Sequence, residues 1–124
     1  MEDVMDRVEV IGGETVLFAE AEGPPIGGPG DVTDLIGNAY AQNAGAVVLP
    51  VERLDRRFLV LSSRIAGEVI QKFTNYGFRV VVLGDVSAAA DGSEALQAFI
   101  RESNRGQGLW FVDDEAALRA RLER

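Results

Sequence analysis

Four polar side chains follow one another within about two helical turns in the middle of the chain. Glu68, Gln71, Lys72 and Asn75 are spaced so that an α-helix places them on one face. Amides and charged groups can donate and accept hydrogen bonds with the backbone of another molecule. We therefore predict that this face binds a partner, although an ordinary solvated helix face would show the same pattern.

Two adjacent serines, Ser62 and Ser63, precede this helix. A serine at a helix N-cap accepts a hydrogen bond from a free amide of the first turn. A phosphoryl group at the same place would be favoured by those amides and by the helix dipole, and Arg64 could pair with it. The serines are therefore interpreted either as a plain cap or as possible phosphorylation sites.

A different kind of site is suggested where a buried strand ends. Asp85 follows Gly84 at the carboxyl end of that strand, the edge at which open α/β sheets tend to bind ligands. Asn104 lies in a later polar turn. A crevice near Asp85 and Asn104 is thus a candidate ligand-binding site, while Asp85 also fits the role of fixing the turn.

The composition leaves few means for catalysis. The chain of 124 residues has no cysteine and no histidine, which removes thiolate catalysis, the commonest general base and the commonest zinc ligand. No carboxylates show the spacing of a metal-binding loop. We therefore predict no catalytic residues, no metal and no cofactor.

Charge and hydropathy exclude other classes of partner. The net charge is −8, from 20 acidic and 12 basic residues, and no basic cluster would attract a nucleic acid. No apolar run approaches the roughly 20 residues that span a bilayer. The acidic N-terminus lacks the features of a signal peptide. We expect a soluble, cytoplasmic protein that binds neither nucleic acid nor membrane.

The first half of the chain is predicted to begin with a β-hairpin. Residues 7–11 and 14–21 are its strands, and Gly12-Gly13 is the turn. The Gly/Pro-rich residues 23–30 form a loop rather than a phosphate-binding motif. Asp31 is expected to cap a first helix that ends near Ala44, with Tyr40 in its apolar stripe. Residues 46–50 form a buried strand.

In the second half, helices and strands alternate. The second helix follows the serines and ends at Gly77, whose position is typical of a left-handed residue after a helix. A β-branched strand over residues 78–83 comes next, then a mobile loop over residues 85–92. Ser93 begins a third helix, residues 109–112 form the last strand, and Asp113 caps a fourth helix.

The element order is therefore β-β-α-β-α-β-α-β-α. A hairpin followed by three β-α units predicts an α/β fold with a mixed five-stranded sheet and four helices. The length and the absence of a linker predict one domain over residues 1–124.

This order, with serines at the start of the second helix, resembles that of the STAS domain found in anti-sigma-factor antagonists and in the tails of sulfate transporters. The resemblance implies a STAS-like regulatory domain in which a partner kinase phosphorylates a serine and so controls docking. The matching positions are Ser62 and Ser63. The chain departs from the antagonist signature because Leu61 precedes and Arg64 follows the serines.

The chain is also similar to a bacterial family of uncharacterised domains. The similarity covers AGEVIQKFTNYG (residues 66–77), the strand RVVVLGD, and FIRESNRG (residues 99–106) with WFV beyond. The family brings no established activity. It implies a shared fold and a shared surface, made of Glu68, Gln71, Lys72, Asn75, Glu102, Ser103 and Asn104.

Two functions of different classes follow from these patterns. The first is a non-enzymatic regulatory domain that docks a protein partner through the second helix and neighbouring loops. The alternative is a small-molecule-binding protein or weak enzyme that uses the strand-end crevice near Asp85 and Asn104. Self-association through the second helix is a further possibility.

Overall fold

The computed structural model describes residues 6–124, which form five strands and five α-helices. The strands are β1 (Arg7–Ile11), β2 (Glu14–Phe18), β3 (Ala46–Pro50), β4 (Arg79–Leu83) and β5 (Leu109–Val112). The helices are α1 (Thr33–Ala41), α2 (Ile65–Asn75), α3 (Ser87–Asp91), α4 (Glu94–Arg105) and α5 (Glu115–Leu122). Within residues 6–124, no helix is long and apolar enough to cross a membrane.

The strands form one mixed sheet in the order β1-β2-β3-β4-β5. β1 pairs antiparallel with β2, and β2 to β5 are all parallel. The predicted α/β fold with a mixed five-stranded sheet is therefore confirmed. The three parallel connections each carry at least one helix, as a parallel pair requires.

Alternate residues of each strand point to opposite faces of the sheet, so two apolar layers form. On one face, Leu17, Val47 and Val80 pack against α1, α2 and the apolar side of α4. On the other face, Val16 and Val48 pack against α5 through Leu118. Three crossover helices thus share one side and α5 covers the other.

The order of the parallel strands bears on where a ligand could enter. Doubly wound sheets bind ligands where the strand order reverses and helices diverge to opposite faces. Among the described strands, β2 to β5 follow one another in chain order without a reversal. This fold therefore lacks the usual reason for a crevice in the middle of the parallel part of the sheet.

The first strand and the last helix are held together. Glu9 on β1 accepts hydrogen bonds from Arg7 and from Arg119 of α5, and Arg7 also bonds to Glu115 at 2.7 Å. The hairpin turn meets the end of α5 so closely that a Cβ on Gly12 would lie 2.1 Å from the carbonyl oxygen of Leu122. The hairpin and α5 therefore pack as one unit.

The first helix begins later than predicted. A 3₁₀ turn covers Pro29–Val32, and α1 starts at Thr33. Asp31 does not cap α1, because its Oδ2 accepts a hydrogen bond from the amide of Gly27 at 2.8 Å and so closes the preceding loop. Tyr40 was expected in the apolar stripe, but its side chain is exposed.

The start of the second helix also differs from the prediction. Three 3₁₀ turns, Val51–Arg53, Arg56–Leu59 and Leu61–Ser63, fill the connection after β3. Arg64, in a left-handed conformation with φ of 67°, stands at the N-cap of α2. At the other end Gly77 is left-handed as predicted, and the amide of Phe78 bonds to the carbonyl of Phe73 at 3.0 Å.

Two further predictions about the last third of the chain are wrong in detail. Part of the predicted mobile loop is the short helix α3, which gives five helices in place of four. The cap of the last helix is Asp114 rather than Asp113, since the carboxylate of Asp114 accepts the amide of Ala117 at 2.8 Å. Ser93 caps α4 as predicted, by accepting the amide of Leu96 at 3.0 Å.

Candidate functional site

A groove of about 570 Å³ runs between α1 and α2, and most of its surface is apolar. Four of its lining residues come from α1, namely Thr33, Ile36, Gly37 and Tyr40. Lys72 of α2 and Tyr76, just past its end, line the other wall. The volume lies within the range of about 300–1,000 Å³ that is usual for binding pockets.

Two tyrosines stand at the edges of this groove and are largely open to solvent. Tyr40 is 76% exposed and Tyr76 is 58% exposed. Neither hydroxyl bonds to another group within residues 6–124. Large amphipathic rings are enriched at protein interfaces, because they bury much apolar area and still offer a polar end.

Gly37 lines the groove without adding a side chain to it. It lies in the interior of α1, where glycine costs a helix about 1 kcal/mol relative to alanine. A Cβ placed on Gly37 would have no other atom within 4 Å, so the missing side chain opens the groove rather than relieving a clash. The groove thus combines a small residue with two exposed aromatic rings.

Lys72 holds the two walls of the groove together. Its Nζ donates to the hydroxyl of Thr33 at 2.7 Å and to the carbonyl of Pro29 at 3.0 Å, and the side chain is half-buried. An ammonium group with two such acceptors is less available to a partner than the sequence pattern suggested. Its role in the described structure is to fix the separation of α1 and α2.

The other three polar residues of the predicted face are exposed. Gln71 donates from Nε2 to Oδ1 of Asn75 at 2.8 Å, which leaves the amide oxygen of Gln71 and the amide nitrogen of Asn75 free for another molecule. Glu68 lies one turn before Lys72 and is solvent-exposed. Gln71 and Asn75 therefore present hydrogen-bonding groups on the helix that forms one wall of the groove.

The serines before α2 have different environments. Ser63 is half-buried, and its Oγ donates to the carbonyl of Arg57 at 2.7 Å and accepts the amide of Ile65 at 3.2 Å. Ser62 is exposed and lines a small cavity together with Arg56. Only Ser63 thus serves the local structure in the manner of a cap.

Glu102, Ser103 and Asn104 lie on α4 and do not line the groove. Glu102 is exposed and pairs with Arg105 at 3.2 Å. Oδ1 of Asn104 accepts the amide of Phe111 at 2.7 Å, so this side chain ties α4 to β5. The structure therefore separates these three residues from the polar face of α2.

The structure has a cavity of about 390 Å³ near the ends of β4 and β5, close to the crevice predicted near Asp85 and Asn104. Asn104 and both chain neighbours of Asp85, Gly84 and Val86, line it, whereas Asp85 itself does not. The carboxylate of Asp85 accepts the amide of Ser87 at 2.8 Å, where α3 begins. This hydrogen bonding from Ser87 lowers the pKa of Asp85 below its ordinary value, so Asp85 is an anion at neutral pH.

The groups available at the groove between α1 and α2 follow from its lining residues. Within residues 6–124, no group of three or more histidines, cysteines, aspartates or glutamates could hold a metal ion. The groove itself offers apolar surface, two phenol hydroxyls and the neighbouring amides of Gln71 and Asn75. The sequence signal that pointed to it was the polar face of the second helix, whereas Gly37, Tyr40 and Tyr76 were missed.

The fold and this groove define a class of protein, an α/β domain with a mixed sheet and an aromatic-edged groove between two crossover helices. The chain belongs to the family described as domain of unknown function (DUF4180), whose model matches residues 11–122. None of the curated proteins compared with the chain matches it, and none of the solved structures does.

Proposed function

We propose that the protein is a non-enzymatic, regulatory interaction domain of the bacterial cytoplasm that docks a protein partner in the groove between α1 and α2. The observation that carries this proposal is the pair of exposed tyrosines that line the same groove as Gly37. Tyrosine is one of the residues that dominate binding energy at protein interfaces. A groove edged by two such rings favours a macromolecular partner.

The partner that fits presents an apolar side chain to the space above Gly37. Its backbone or polar side chains would meet the free groups of Gln71 and Asn75. The net charge of −8 opposes close approach of a second copy, which favours a partner of different charge over self-association.

Filling the groove tests the proposal. Gly37→Leu places a side chain in open space and replaces a poor helix former, so the fold should be kept or slightly stabilised. Gly67→Leu is the matched control: Gly67 is an exposed glycine of α2 where an added Cβ would have no other atom within 4 Å, and it does not line the groove.

The experiment has two stages. Tagged wild type and both variants are used to capture proteins from the source cell, and a protein retained by wild type and Gly67→Leu but lost from Gly37→Leu is then purified. Calorimetry with that purified protein should show binding that Gly37→Leu weakens at least tenfold. Equal affinity for all three chains would refute docking at this groove.

Light scattering of the same proteins separates the remaining possibility of self-association. If wild type and Gly67→Leu are each dimers and Gly37→Leu is a monomer, the occupant of the groove is a second copy of the chain. A monomer in all three cases leaves the foreign partner as the occupant.

The regulatory part of the proposal concerns Ser62. Its hydroxyl is exposed, and Arg56 lines the same small cavity, where a guanidinium could pair with a phosphoryl group. Ser63 is a poorer acceptor because its hydroxyl is engaged in two hydrogen bonds. Intact mass spectrometry of protein from its native cell should show a phosphorylated form that Ser62→Ala abolishes and Ser63→Ala keeps.

A further inference from the structure

Arg53 is a buried cation outside the groove between α1 and α2. It lies in the 3₁₀ turn after β3 and is 7% exposed. Its Nε donates to the carbonyl of Pro24 at 2.8 Å, and its Nη1 donates to the carbonyl of Glu20 at 2.6 Å. Two backbone carbonyls of the segment before α1 therefore hold the guanidinium in place.

The positive charge of Arg53 has no ion-pair partner within residues 6–124, because none of the salt bridges there includes it. Carbonyl dipoles compensate only part of the cost of taking an ion out of water. A buried arginine without a carboxylate partner is therefore a candidate to bind an anionic group of a ligand.

One nitrogen of Arg53 remains available for such a group. Nη2 has no acceptor within the described residues, whereas Nε and Nη1 each have one. Every fully buried side-chain nitrogen within residues 6–124 has a hydrogen-bond partner. Nη2 has none, so it must be partly accessible to solvent. Arg53 lines a cavity of about 440 Å³.

The loop backbone shapes this end of the cavity. A Cβ on Gly23 would lie 2.5 Å from Cζ of Arg53, so the chain passes close to the guanidinium and a larger residue there would require Arg53 to shift. Gly23 also lines the cavity. The position of Arg53 is thus fixed from above by this glycine and by the two carbonyl hydrogen bonds.

The cavity is also lined by acidic residues. Besides Arg53, its lining includes Asp6, Glu20, Asp31 and Asp34. Asp6 and Asp31 are engaged by amide groups of the protein, at 3.1 Å to the amide of Glu20 and at 2.8 Å to the amide of Gly27. Asp34 and Glu20 accept no side-chain hydrogen bond within residues 6–124, so they are the acceptors open to a ligand.

This distribution of charge selects the ligand class. A plain anion such as phosphate would meet the carboxylates, and a plain amine would meet Arg53. A small molecule with a carboxylate at one end and an ammonium group at the other can pair with both Arg53 and the acidic residues. We propose that this cavity binds a free α-amino acid, its carboxylate on Arg53 and its ammonium group on Asp34 and Glu20.

Amide NMR spectra with added ligand test the proposal directly. Each of the common L-amino acids is titrated into the ¹⁵N-labelled protein, followed by the decarboxylated amine and the N-acetyl derivative of any that binds. Inorganic phosphate is the anion control. We expect one or more free amino acids to shift the amide signals of Gly23 and Gly30, with the amine and the acetylated form at least tenfold weaker.

Matched variants locate the site. Asp34→Asn should weaken amino-acid binding at least tenfold and keep the fold, because Asp34 is an exposed residue of α1. Asp91→Asn makes the same change at an exposed residue that does not line this cavity, and it should bind as wild type does. Arg53→Lys should also lose binding, and Asp34→Asn decides the matter if Arg53→Lys does not fold.

Several outcomes would overturn the proposal. No shift with any amino acid at millimolar concentration would make Arg53 a purely structural residue. Equal binding of the decarboxylated amine would reduce the cavity to a cation site, and equal binding of phosphate would make it an anion site. Gly37→Leu should leave amino-acid binding unchanged, so failure here and failure of the docking proposal are distinguishable.

Discussion

Replacing Gly12 by alanine tests the contact between the hairpin turn and the end of α5. Gly12 has φ of +59°, and its added Cβ would lie 2.1 Å from the carbonyl oxygen of Leu122. A carbon and a carbonyl oxygen approach no closer than about 3.3 Å without strain. The end of α5 would therefore have to move by about 1 Å or more, since both atoms that collide belong to backbone or are fixed to it.

Gly13→Ala is the natural control, because Gly13 is the other residue of the same turn. Its φ is +84°, so alanine there is strained, but no atom lies within 4 Å of the added Cβ. We expect Gly13→Ala to lower the free energy of unfolding by about 1 kcal/mol, the cost of a left-handed alanine. Gly12→Ala should lower it by a further ~1–3 kcal/mol, as overpacking does.

Urea denaturation followed by tryptophan fluorescence measures the difference. Trp110 is the single tryptophan of the chain and is buried, so its emission reports unfolding of the sheet. With a slope of about 2 kcal/mol per molar urea, the two midpoints should differ by roughly 0.5–1.5 M. Coincident midpoints would mean that the turn does not rest on α5, and the reasoning would be wrong.

Three other substitutions test separate contacts. Arg64→Gly removes the strain of a left-handed arginine at the start of α2 and should raise Tm by about 2 °C in calorimetry. The gain is small because glycine is also more flexible in the unfolded chain. A lower Tm would contradict this expectation. Lys72→Met and Thr33→Val should couple by at least about 0.5 kcal/mol in a double-mutant cycle of urea unfolding, because they share one hydrogen bond, and additive losses would count against that bond. The hydrogen bond from Arg119 lowers the pKa of Glu9 below its ordinary 4.5, so the stability from this contact is present above that value and is lost as the pH falls through the folded-state pKa. Glu9→Gln should therefore flatten the acid side of the stability profile, and an unchanged profile would refute the link.

The strands were predictable because buried parallel strands are continuous apolar runs. Residues 46–50 and 109–112 were predicted with the bounds that the structure shows, and β4 differs by one residue from the predicted 78–83. Each run is short and begins within two residues of a glycine, and β4 also ends beside Gly84. The antiparallel hairpin followed in the same way from Gly12-Gly13 between two apolar strands.

Helix starts were less predictable, because several residues near each start can accept an amide. Asp31, Asp113 and one of Ser62 and Ser63 were expected to cap helices. Asp31 and Asp113 do not, because α1 and α5 begin later, at Thr33 and Glu115. Ser63 does accept the amide of Ile65 at the start of α2, although Arg64 stands between them. A cap depends on the φ and ψ of its own residue, which the residue type alone does not specify.

The groove and the buried arginine could not be predicted, because both depend on distances between elements that are far apart in sequence. Tyr40 has the spacing of an apolar stripe, yet whether a ring at the edge of a stripe is covered depends on how far away the next helix lies. The polar face of α2 was predicted to be exposed, and Gln71 and Asn75 are. Lys72 and Arg53 have the residue type of surface cations, and only the fold shows that they are half-buried and buried.

The contact between β1 and α5 determines when during synthesis the domain can finish folding. The side chains of Glu9 and Arg119 are 110 residues apart in sequence, so their contact forms only after the residues between them have been synthesised. Until Leu118 emerges from the ribosome, the sheet face that includes Phe18 and Trp110 has no helix to cover it. A nascent chain therefore exposes this apolar surface until α5 has been synthesised, and chaperones can bind it during that interval.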